Sequence, residues 1–203
     1  MGLPTAKIFR NLAFSLAGVF VSSNVFAGWQ DYASPADIER LEQLPQIREA
    51  ALADAEHGQG HGDAGVIARV MGPQGHTINA NDLVGHWRCR QIKLGRMESY
   101  AVYDRWFDCN IRALSNGLML EKTGGSQRLA GSLFPDNGAW IYVGASRVRG
   151  EPRHNYSGAS PALGAQVTPD DQVGLLTGIG DNHLRLEIPA VQESLLDVVE
   201  FTR

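Results

Sequence analysis

Lys93, Lys122, Gln127 and Ser194 are the polar residues whose types and spacing bring chemistry to one place in this chain. Side chains alternate along an extended strand, so Trp87, Cys89, Gln91 and Lys93 share one face of a first strand. Leu118, Leu120 and Lys122 share one face of a third, and the leucines mark that face as inward. Lys93 and Lys122 then arrive at the same rim, facing the interior. Gln127 opens the next strand there, and Ser194 opens the last strand at the same end. Two neighbouring ammonium groups repel unless an anion separates them. That chemistry suits a small molecule or peptide bearing a carboxylate or phosphate. An internal counter-ion from Glu193, Glu151 or Asp104 would serve equally, because buried charges are usually paired within the protein.

Other constellations carry less. His57 and His61 sit four apart beside Glu56 and Asp63, a spacing that on a helix suits a metal. Gly58, Gly60 and Gly62 argue against a helix there, so no metal and no cofactor is expected. Lys122-Thr123-Gly124-Gly125-Ser126 has phosphate-loop ingredients in the wrong order and reads better as a tight hairpin turn. Ser194, His183 and Asp197 nominally supply a hydrolytic triad, but no Gly-x-Ser-x-Gly elbow is present and little acid–base clustering is visible. The chain therefore reads as non-catalytic, with an undetected hydrolase as an alternative. Cys89 and Cys109 are the two cysteines. In an oxidising compartment a lone pair usually bonds to itself, which stabilises a loop of this size by about 3 kcal/mol. A metal or redox thiol pair is the other reading, and the C-x-x-C spacing it favours is absent. Trp106, Trp140 and Tyr142 read as packing residues of the core.

The elements that must position these residues follow from pattern. Residues 1–27 read as a secretion signal, with Lys7 and Arg10 before an apolar run and Val25-Phe26-Ala27 before the cut. The run is too short to span a bilayer, and no later stretch is long enough, so no membrane span is expected. The expected location is the periplasm or beyond, after cleavage near Ala27. Removing Lys7 and Arg10 takes the net charge from −4 to −6, which disfavours nucleic acid as a partner. A hydrophobic content of 43% is enough for a packed core.

Residues 34–71 read as helical. Ser34 is a good N-cap, Pro35 suits the first position, Pro45 breaks or kinks the run, and a second piece spans 63–70. The two helices form a hairpin that must dock its apolar stripe on something. From residue 83 the period becomes two. Eight runs read as strands: 83–94, 100–112, 117–122, 127–134, 139–149, 172–180, 182–189 and 194–202. Most connections are short and rich in Gly, Asn and Asp, so consecutive strands pair antiparallel. The long one, 150–171, reads as a mobile loop. The expected fold is mainly β: an eight-stranded antiparallel up-and-down barrel preceded by an α-helical hairpin, with a two-sheet sandwich as the alternative. The expected divisions are 1–27 signal, 28–75 helical hairpin and 76–203 barrel. If Cys89 lies directly opposite Cys109, the first hairpin needs a longer loop or a bulge.

Gly85-His86-Trp87 at the start of the first strand resembles lipocalin and avidin-like barrels, which implies that Trp87 plugs one end. The blocks Trp87-Arg88-Cys89-Arg90-Gln91-Ile92-Lys93-Leu94-Gly95, Lys122 to Asp136 and Glu193 to Glu200 resemble a family of secreted bacterial proteins known as a domain of unknown function. That resemblance implies nothing about activity. A looser resemblance is to periplasmic inhibitors of secreted metalloproteases, barrels with one early disulfide whose extended N-terminal arm enters the protease. Here the corresponding segment reads as helix. The expected function is a non-catalytic periplasmic binding protein with its ligand at the barrel mouth. An envelope interaction module or protease inhibitor is the alternative.

Overall fold

The computed structural model describes Gly2 and residues 28–97, 99–115, 117–158, 168–189 and 192–203. The expected signal segment and the middle of the 150–171 connection lie outside the described residues.

Alternation from residue 85 onward builds one antiparallel sheet of nine strands: β1 Gly85–Leu94, β2 Tyr100–Val102, β3 Phe107–Leu114, β4 Gly117–Lys122, β5 Gln127–Asp136, β6 Ala139–Val148, β7 Asp171–Gly180, β8 His183–Pro189 and β9 Leu196–Thr202. β9 returns to β1, pairing Arg88 with Thr202 through to Leu94 with Leu196, so eight strands close a cylinder and β2 is extra. Closure leaves these eight strands no free edge.

The run expected as one strand over 100–112 is two. β1 pairs along the same side first with β3 (Cys89 opposite Phe107) and then with β2 (Ile92 opposite Val102). Residues 103–106 bulge out opposite Arg90 and Gln91. The bulge resolves the register problem. Cys109 stands opposite Trp87, Cys89 stands opposite Phe107, and the disulfide joins them diagonally, with the α-carbons 5.9 Å apart. Both cysteines are buried inside the cylinder.

The interior is filled over most of its length by Trp87, Ile111, Leu118, Leu120, Leu133, Trp140, Tyr142, Leu176, Leu186 and Phe201. Gly131 and Gly144, directly paired, are there to admit the Tyr142 ring. A β-carbon on Gly144 would fall 2.3 Å from its hydroxyl, and one on Gly131 2.6 Å from its ring. The lower end is sealed. Trp87 Nε1 donates to Leu83 O at 2.8 Å, Trp140 Nε1 donates to Ile78 O at 3.0 Å, and the Arg203 guanidinium lies 4.0 Å over the Trp87 ring. Trp87 occupies the plug position. Trp106, expected in the core, instead sits in the bulge beneath the Arg90 guanidinium, 4.7 Å away.

The helices cover part of the outer wall. A 3-10 turn Trp29–Tyr32 leads into α1 Pro35–Glu42, α2 Leu44–His57 and α3 Gly65–Met71, and a short α4 Ala80–Leu83 precedes β1. Ser34 caps α1, with its Oγ accepting from Asp37 N at 3.2 Å. The break falls at Gln43, which puts Pro45 in the first turn of α2, where a missing N–H costs nothing. Leu41, Leu44, Ala51, Val66, Ile67 and Val70 pack on the outward residues Ile92, Leu94, Val173, Leu196 and Val198. Buried ion pairs reinforce that contact: Glu187 receives Arg48 Nε at 2.6 Å and lies 2.9 Å from Arg185 Nε. Arg185 also donates to the Val70 carbonyl at the end of α3, at 2.9 Å. Among the described residues no helix is long and apolar enough to cross a membrane.

Candidate functional site at the barrel mouth

The upper end, where β1 finishes, is not packed solid. A cavity of about 150 Å³ opens there. Its polar lining includes Gln91, Lys93, Gln127, Ser146, Gln172 and Asp197, with Leu129 and Ile188 as apolar floor. Register explains the convergence. Lys93 pairs with Asp197, Asp197 with Ile188, Gly144 with Gln172, and Leu129 with Ser146, so each faces inward at the same height. Arg128 and Arg147, directly opposite each other on β5 and β6, also line it, as do Arg40, Glu193 and Asp170–Asp171.

Of the four residues singled out from sequence, two reach the cavity. Lys93 and Gln127 line it; Lys122 and Ser194 do not. Lys122 does face inward and is 2% exposed, but its ammonium turns back into the 123–126 hairpin. There it donates to the carbonyls of Gly124 (2.9 Å) and Gln127 and lies 4.7 Å over the Phe107 ring. The two lysines therefore do not share one anion. Ser194 is buried, and its Oγ donates to Asp197 Oδ1 at 2.5 Å, so it positions that carboxylate.

The Lys93 ammonium is paired with Glu193, the first of the internal counter-ions considered above. Glu151 accepts from Val148 N instead, at 2.7 Å. Burial alone would lower the Lys93 ammonium; Asp197, then Glu193, outweigh it and hold it above its ordinary value. Burial pushes the Asp197 carboxyl up, with Lys93 opposing. The hydrogen bond from Lys93 holds the Glu193 carboxyl below its usual range. Burial lowers the Lys122 ammonium to about 8, with the charge of Arg128 contributing. Asp171 is satisfied by Ser157 N (2.9 Å), Ser157 Oγ (2.6 Å) and Thr168 N (3.2 Å).

What alternation alone misses is Arg128. Its position on β5 is of opposite parity to Gln127, yet it borders the cavity. Its Nε is buried with no hydrogen-bond partner, and no carboxylate lies within ion-pair distance among the described residues. Gln172 Oε1 is likewise buried and without a partner among the described residues. The only sequence signal for either is its place beside the mouth loops.

The alternative chemistries are not assembled. His183 points outward to Glu200, 2.8 Å away, and pairs with Thr202, five residues along β9 from Asp197. That is about 17 Å at strand rise. α2 ends at His57, while His61 bridges to Ala101, so the two histidines do not share a helix. Among the described residues no cluster of three metal-ligating side chains occurs. The cavity can offer charge and hydrogen bonds.

A family model described as a domain of unknown function, DUF4893, matches residues 29–201. No curated protein matches the chain.

Proposed function

The chain belongs to the DUF4893 family, and for it we propose a non-catalytic binding role in the periplasm or beyond, with a small anionic ligand held in the cavity at the barrel mouth. The observation that carries this reading is the open cavity bordered by Arg128, whose buried Nε has no hydrogen-bond partner among the described residues. A guanidinium beside an open cavity offers a ligand carboxylate or phosphate a charge-assisted hydrogen bond. The volume of about 150 Å³ favours a compact ligand, since drug-sized pockets run to roughly 300–1,000 Å³. The buried disulfide is in keeping with an exported protein.

The inhibitor reading draws less support, because residues 29–57 are engaged against the barrel wall rather than extended as a free arm.

The test is a thermal-shift screen of the purified protein with succinate, inorganic phosphate, free amino acids and short peptides. A saturating ligand raises the melting temperature by several degrees, and Arg128→Met abolishes that rise. No rise with any anionic probe would overturn the proposal. N-terminal sequencing of the exported protein should begin at Gly28; recovery of full-length chain only in the cytoplasm would overturn the location.

A further inference from the structure

The same cavity constrains its ligand further, an inference that rests on the binding role just proposed. Two of its lining residues each hold a buried side-chain atom with no hydrogen-bond partner among the described residues, and these differ in character: Arg128 Nε is a donor and Gln172 Oε1 an acceptor. A plain anion satisfies the first and leaves the second orphaned. An orphaned buried acceptor carries the same kind of penalty as an orphaned donor.

Carboxylates reinforce the acceptor side. Asp197 faces inward from β9, with Glu193 just before that strand. β9 lies four strands from β5 in either direction round the closed sheet, so Asp197 is set across the mouth from Arg128, while the Glu193 carboxylate reaches Gln127 of β5. Lys93 lies between Asp197 and Glu193 in charge terms: its ammonium bonds Glu193, and among the described residues Asp197 has the hydroxyl of Ser194 as its direct side-chain partner. Burial holds the Asp197 carboxyl above its ordinary range, against the opposing charge of Lys93. The lining as a whole carries four cationic and four carboxylate side chains, a balance that matches a dipolar guest better than an anion.

We infer that the ligand is a small zwitterion of the free amino-acid type, its carboxylate toward Arg128 and its ammonium toward Asp197 and Gln172. The cavity of about 150 Å³ has room for one such molecule and little more. Each end meets side chains of opposite or complementary character on the lining, so neither half of the ligand is dispensable.

Calorimetric titration of the protein with the free amino acids tests this. For the best binder, its N-acetyl and C-amide derivatives are titrated beside it, with succinate and inorganic phosphate as plain anions. The expected result is that a free amino acid binds and that acetylation and amidation each weaken it at least tenfold. Arg128→Met should weaken the amino acid and leave the C-amide unchanged. Asp197→Asn should weaken the amino acid and leave succinate unchanged. Glu193→Gln, in an exposed loop, should act in the same direction as Asp197→Asn and serves if that variant does not fold. Binding of succinate, phosphate or the N-acetyl derivative as tightly as the amino acid would overturn the zwitterion and leave the anion-binding role standing. Binding by none of the anionic or zwitterionic probes would overturn both.

Discussion

Lys93 and Asp197 stand directly opposite each other across the β1–β9 seam, both buried, where the cylinder closes and its mouth opens. The Lys93 ammonium makes its direct bond to Glu193, while Asp197 acts on it through charge at longer range. Removing one member of such a group leaves the other buried and uncompensated, a loss of about 3–5 kcal/mol. Lys93→Met should therefore cost about 3 kcal/mol in urea unfolding, and adding Asp197→Asn should recover part of it. A double variant as unstable as the sum of the singles would show that the two do not interact.

Lys122 gives a pH signature. Its ammonium is lowered to about 8 in the folded protein, first by burial and then by Arg128. Between pH 8 and its unfolded value near 10.5 the unfolded chain holds a proton that the folded chain has released. Stability contributed by this group therefore rises with pH across that window, and the burden is fully present below it. Lys122→Met should abolish this rise. The slope difference between wild type and variant from pH 7 to 10 is the measurement, and parallel curves would contradict it.

The lower seal rests on the chain end. Arg203 stacks on Trp87 and donates from Nη1 to Val84 O at 3.2 Å and from Nε to Asn182 Oδ1 at 3.1 Å. Arg203→Ala should cost about 1–2 kcal/mol. Trp87→Ala, which empties the plug itself, should cost about 3–5 kcal/mol. Equal losses from the two would mean that the plug is held chiefly by its cover.

Glu187 ties the helices to the barrel. It is fully buried between Arg48 of α2 and Arg185 of β8. Glu187→Gln leaves two guanidinium groups beside a neutral amide, at about 3 kcal/mol or more. Hydrogen exchange should speed up first in α2 and α3 and leave β4–β6 protected. Uniform loss of protection would mean that helices and barrel unfold as one unit.

How far the sequence was legible depended on where local pattern and tertiary course agree. Period-two alternation placed Trp87, Cys89, Lys93, Leu118, Leu120 and Lys122 on the inner face, and short polar turns placed the strands antiparallel. Ser34 and Pro35 marked the start of α1 through local chemistry alone. The cysteine spacing raised a bulge as one possibility, but its place at 103–106 was not legible, because nothing in Tyr103-Asp104-Arg105-Trp106 distinguishes an excursion from a strand until pairing with β1 fixes the register. The direction of Lys122 was hidden too: alternation sets the face on which a long side chain leaves the backbone, and the free carbonyls of Gly124 and Gln127 then decide where its ammonium ends. Arg128 was missed for the converse reason, since its parity predicts the outer face. Asp197 and Gln172 gained meaning only once closure brought β7 and β9 to the same rim.

The central claim is that the barrel mouth holds a small anion-bearing ligand. A 1H–15N titration of the labelled protein with the best probe of the thermal-shift screen tests it most directly. Saturable shifts are expected at Gln91, Gln127, Ser146 and Gln172 and at the Arg128 side chain, with no change at His86 or Asn110 on the outer wall. Shifts confined to that outer wall, or a spectrum that no probe moves, would contradict it.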